Sequence, residues 1–106
     1  MIVEIAKVDV KPEAIDAFKA AASVGQKIFS EAEGCLSMEV RQCVEHPSSF
    51  RMIVLWRTLE DHTVTFRNSE GVKAWRAAIG PHLAGPVEVL NFDGIVVRAG
   101  GSLAAS

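Results

Sequence analysis

The chain has 106 residues, 49% of them hydrophobic, a formal net charge of −2 and two cysteines. That length holds one domain, and singly scattered Lys and Arg with a pI near 5.9 exclude the continuous basic patch that nucleic-acid binding requires. No apolar run approaches the ~20 residues of a membrane span, while a mean hydropathy of +0.22 is high for so small a soluble chain and points to apolar surface kept for a second copy.

Residues 2–10 alternate and are rich in Val and Ile, which predicts a first strand. The charges at Glu4, Lys7 and Asp9 within it argue against a secretory signal. Pro12 suits the first turn of a helix and Glu13 its positive end. The helix is expected to run to about Glu33. Its stripe is Ile15, Phe18, Ala22, Val24 or Gly25, Ile28, Phe29 and Ala32, and Gly34 is its stop. Residues 35–44 predict a second strand, with Leu36, Met38, Val40 and Val44 on one side and Ser37, Glu39 and Arg41 on the other. Glu45 to Ser49 is a turn by composition.

The third strand, Phe50 to Trp56, has no polar face. Phe50, Met52, Val54 and Trp56 lie on one side, Ile53 and Leu55 on the other, so both sides should be covered. Helices can cover only one, which predicts a homodimer. Thr58 reads as an N-cap with Asp61 at the third helical position, and that helix reaches about Arg67. Ser69 caps a further helix through Ile79, ended by Gly80 and Pro81. The last strand is Val87 to Val97, bent at Gly94. Residues 1–98 form the domain; residues 99–106 form a small, polar tail, flexible or a swap arm. Cys35 and Cys43 on one strand would stand ~26 Å apart, beyond bridging distance. Free thiols suit a reducing compartment and place the protein in the cytoplasm.

The order β-α-β-β-α-β is that of an α+β, ferredoxin-like fold with an antiparallel sheet, its second helix broken. This order, the segments Val10-Lys11-Pro12-Glu13, Gly34-Cys35-Leu36 and Val54-Leu55-Trp56-Arg57, and the helix that follows resemble the antibiotic biosynthesis monooxygenase domain. The likeness covers roughly residues 1–97 and rests on structural motifs. It implies a dimeric α+β barrel, two sheets face to face, each subunit with a pocket between helices and sheet. Members of that family oxidise polyketide phenols with oxygen alone, break down heme, or process small signalling molecules, so the fold does not choose the reaction.

His62 and Phe66 stand four apart on the helix after the third strand and share a face with Leu59. Quinone-forming members carry a polar side chain and a tryptophan at this spacing; here the types are His and Phe. A neutral imidazole near a phenol can take its proton and leave a phenolate that oxygen attacks. The plainer reading puts His62 at the helix surface and Phe66 in the core. Trp75, with Val72 and Ile79, lines a flat pocket or simply packs. His82 follows Pro81 near the pocket mouth that the resemblance implies, or is solvated. Trp56 reads as packing or dimer contact, and His46 as a solvated turn residue. His46, His62 and His82 are scattered, and no metal-ligand spacing or phosphate-binding glycine loop appears, so no metal or cofactor is expected. Heme-degrading relatives use an asparagine on the first strand and a tryptophan after the third; residues 1–10 hold no asparagine and Phe66 replaces the tryptophan.

These readings lead to a cofactor-independent monooxygenase acting on a small aromatic, phenolic or quinol substrate. His62 is its catalytic residue, and Phe66, Trp75 and His82 bind substrate. The alternatives are a non-catalytic small-molecule-binding dimer and an isomerase of a small hydroxylated metabolite; no nucleic-acid or membrane partner is expected.

Overall fold

Alternating side chains place Ile2–Asp9 in strand β1, in a computed structural model that describes residues 1–101. A 3-10 turn, Pro12–Ala14, leads into α1, Ile15–Ala22, and α2, Gly25–Ser30. Two strands follow, β2 at Cys35–Gln42 and β3 at Ser49–Trp56. A π-helix, Asp61–Phe66, and α3, Glu70–Ile79, precede the final strand β4, Glu88–Phe92. The sheet order is β2-β3-β1-β4, every pair antiparallel. This is the α+β ferredoxin-like arrangement with its second helix in two pieces. Among the described residues, no helix is long and apolar enough to cross a membrane.

The register decides which face is which. Glu4 pairs with Val54, Ala6 with Met52 and Val8 with Phe50, so these side chains share one face and are buried beneath the helices. Phe18 of α1, Phe29 of α2 and Val72, Trp75 and Ile79 of α3 complete that core. Its centre is aromatic: Phe29 stands 4.9 Å from Phe66 and 5.3 Å, edge to face, from Trp75. Gly25 permits this, because a Cβ there would come within 2.8 Å of the Trp75 ring and 2.7 Å of Met38.

Several features depart from the sequence reading. The long first helix is split near Ser23, whose hydroxyl donates to the Ala20 carbonyl at 2.6 Å. Such back-bonding competes with the helical ladder. In β2 a register shift between Cys35 and Ser37 turns Leu36 out to solvent, and Val44 lies beyond the strand, exposed. Strand β4 stops at Phe92 instead of Val97. Val3 pairs with Phe92, so β1 runs out of partners two residues further on, and Gly94 N–H is taken by the Asp93 carboxylate at 2.8 Å. The tail expected at residues 99–106 lies, from residue 102 onward, outside the described residues.

Gly34 has φ +78°, which an L side chain rarely adopts. It turns the chain into β2, its carbonyl accepts Arg57 N–H at 2.8 Å, and it packs against the Asp61 side chain.

The sheet's other face is apolar at one end. The register aligns Val3 with Leu55 and Phe92, and Ile5 with Ile53 and Leu90. Leu90 is 64% and Phe92 46% exposed.

Candidate active site

Strand β1 sets three apolar side chains, Ile2, Ala6 and Val8, on the helix-facing side, continued by Val10 just beyond it, and one acid, Glu4, among them. Glu4 is 3% exposed. A lone buried carboxylate needs partners, and the fold brings three residues from distant parts of the chain. Trp56 Nε1–H donates to Glu4 Oε1 at 2.9 Å. His62 Nε2 lies 3.2 Å from that same oxygen. His62 Nδ1 lies 2.7 Å from Asn91 Oδ1, and Asn91 sits directly across from Glu4 in the β1–β4 register.

The π-helix aims the imidazole. Thr58 Oγ1 accepts Asp61 N–H at 3.1 Å, as the capping pattern predicts. The Asp61 carboxylate is gripped by the Arg57 guanidinium through two bonds of 3.0 Å, which hold its carboxyl below the usual range. The wide turn then closes with Arg67 N–H donating to the His62 carbonyl. Such wide turns recur at functional sites. The surface placement for His62 is therefore not what the structure shows: the residue is 7% exposed, because the turn rolls it onto the sheet.

Both ring nitrogens of His62 face oxygens as placed. An imidazolium would satisfy both. A neutral ring is satisfied in either of two ways: Nδ1–H donates to Asn91 Oδ1 while a protonated Glu4 donates to Nε2, or Nε2–H donates to the Glu4 carboxylate while the Asn91 amide turns its NH2 toward Nδ1. Burial pushes the Glu4 carboxyl above its ordinary value, against the Trp56 hydrogen bond and the charges of His62 and Arg67, which pull it down. Burial wins, so the Glu4 carboxyl holds its proton more readily than a solvated carboxylate would. Glu4 Oε1 takes both described bonds, and among the described residues Oε2 has none.

This pair forms one wall of a cavity of about 330 Å³ between helices and sheet. Val8, Met52, Phe66, Val72, Trp75 and Ile79 supply apolar walls, and Arg67 and Arg76 also line it. The structure thus brings His62, Phe66 and Trp75 together on one cavity. His82 is not on it, although its neighbours Gly80 and Leu83 are. Its carbonyl accepts Lys11 N–H at 2.9 Å, which pins the turn Gly80–His82 to the end of β1. Phe66 and Trp75 also fill core, so the packing and lining readings hold at once. Trp56 is core. Glu4 and Asn91 escaped the sequence reading, though a single acid on the buried parity of β1 was a legible signal for Glu4. Among the described residues, no three His, Cys, Asp or Glu side chains form a group able to hold a metal ion.

The profile of the antibiotic biosynthesis monooxygenase family matches residues 1–78. A Bordetella bronchiseptica protein described as a candidate antibiotic biosynthesis monooxygenase superposes with a TM-score of 0.85 at 29% identity, over 90% of this chain and 97% of that one. One from Caulobacter crescentus, described in the same way, superposes at 0.78 with 20% identity over 89% of each chain, a likeness of fold. An uncharacterized Bacillus subtilis protein, YczJ, is 36% identical over 64 residues, 60% of this chain and 63% of its own length.

Proposed function

This chain belongs to the antibiotic biosynthesis monooxygenase family, and on that premise we propose that it is a cofactor-independent monooxygenase of a small phenol or hydroquinone. The observation that carries the reading is the buried Glu4–His62 pair, with Nε2 3.2 Å from Oε1, on the wall of an apolar cavity. A cavity of about 330 Å³ is at the small end of the ~300–1,000 Å³ usual for ligand sites, which suits a substrate of one or two rings.

The chemistry follows from the proton. The phenol hydroxyl gives its proton to Glu4 Oε2, while His62 and Trp56 hold Oε1 and stabilise the acceptor's position. In a phenol, or a hydroxylated ring with an unsubstituted para position, the phenolate is then electron-rich enough for molecular oxygen to add at that para carbon. One oxygen atom stays as the second quinone oxygen. The other leaves as water, taking the proton held by the pair and the ring hydrogen it displaces. Phenol plus oxygen gives quinone plus water, and all four electrons come from the substrate. The walls from Val8, Met52, Phe66 and Val72 keep bulk water from the phenolate.

The working unit in this reading is a homodimer. What supports it is the apolar band of Val3, Ile5, Ile53, Leu55, Leu90 and Phe92 on the face that the helices leave uncovered. A second copy presents the same apolar band, so two sheets can cover each other face to face.

The test is oxygen uptake with a panel of dihydroxy aromatics, no flavin or metal added. Uptake that depends on Glu4 and His62 supports the reading. Saturable binding without uptake would leave a binding protein, and product without oxygen consumption an isomerase.

A further inference from the structure

The arginines that precede β4 divide into two groups. Arg41 is paired with Glu39, and Arg57 with Asp61 and Glu33. Arg51 donates to Ser49 and to the Phe50 carbonyl. Arg67 and Arg76 make no ion pair or side-chain hydrogen bond among the described residues, yet both line the cavity that holds Glu4 and His62. They come from different elements, one just after the π-helix and one from α3. Both side chains are exposed, so they stand where the cavity meets solvent. Glu70, which opens α3, is engaged by Lys73 at 3.1 Å. Among the described residues, Glu4, buried at the wall, is the only acid lining the cavity.

We infer that the substrate carries a carboxylate as well as its phenolic hydroxyl, and that Arg67 and Arg76 bind that carboxylate at the cavity opening. The inference rests on the proposed phenol site and adds the substrate's charge and its orientation. A carboxylate is disfavoured against Glu4, because two buried anions repel unless one of them takes up a proton. A guanidinium offers a planar fork that matches a carboxylate. The two ends of the cavity therefore sort a hydroxy acid by charge, hydroxyl toward Glu4 and carboxylate toward the arginines. That orientation selects which ring carbon faces the space where oxygen reacts.

The test compares 6-hydroxy-2-naphthoate with the neutral 6-hydroxy-2-naphthamide by titration calorimetry at low salt. The two share a ring and a hydroxyl and differ in charge. The acid should bind the full-length protein roughly tenfold or more tightly than the amide, the worth of a charge-assisted bond. The double variant Arg67→Gln/Arg76→Gln should lose that preference and bind the amide as before, and Arg67→Lys/Arg76→Lys should keep part of it. Equal binding of acid and amide by the wild type overturns the arginine site and leaves the phenol pocket standing. A preference that survives the double Gln variant also overturns it. If neither probe binds, the arginine site and the pocket reading fall together.

Discussion

The rings of Trp56 and His62 lie face to face, 8° from parallel with centroids 5.4 Å apart, and both reach the same oxygen of Glu4. The indole at the end of β3 thus fixes the plane of the imidazole as well as the carboxylate it addresses. Neither residue can shift without disturbing the other.

His62→Ala should cost both stability and turnover. Removing the ring leaves Glu4 buried with only the Trp56 donor, a loss of about 1–3 kcal/mol. Urea unfolding measures that part. Oxygen uptake at saturating substrate should fall by roughly a hundredfold or more. An undiminished rate would remove His62 from the mechanism.

Glu4→Gln should separate the two effects. Gln keeps the acceptor for Trp56 N–H and removes the buried charge. In the wild type, burial raises the folded carboxyl above its ordinary 4.5. The folded chain therefore holds this proton more tightly than the unfolded chain. The associated stability is full below that ordinary value and is lost as pH rises through the raised one. The variant should gain on the wild type in unfolding free energy as pH climbs over that window, while its turnover stays low throughout. Wild-type turnover should rise with pH over the same window, because the carboxylate is the acceptor. A rate flat across it would exclude Glu4 as the base.

Leu90→Glu places a charge in the middle of the exposed apolar band without touching the helix-facing core. The wild type should sediment as a dimer at micromolar concentration and this variant as a monomer with unchanged circular dichroism. A wild type that sediments as a monomer would refute the pairing of sheets.

Gly34→Ala should destabilise by about 1–3 kcal/mol. The φ of +78° resists a side chain, and the added methyl would run into Asp61. Chemical denaturation reads the loss. A change within error would mean that the turn and the Arg57–Asp61 pair relax freely.

Much of the site stayed hidden because its members are joined only by pairing. Alternation in β1 and β3, the Thr58 and Ser69 caps and the stops at Gly34 and Gly80 are local properties, legible in the chain, and they place nearly every element. The spacing of His62 and Phe66 marked a helix that lines the cavity. What local pattern could not give was the depth of His62, since an α-helical wheel does not foresee a π turn. Asn91 gave no signal at all: it matters only because the register sets it across from Glu4.

The sequence by itself determined the order of strands and helices and the apolarity of both faces of β3, because each depends on side chains a few residues apart. Only the tertiary structure decided that Glu4, Trp56, His62 and Asn91 meet in one hydrogen-bonded cluster, with Glu4 and His62 on the cavity wall. They are separated by up to 87 positions, and their meeting depends on antiparallel register and helix docking. It also decided that β4 ends at Phe92, because a strand lasts only as long as its neighbour offers hydrogen bonds.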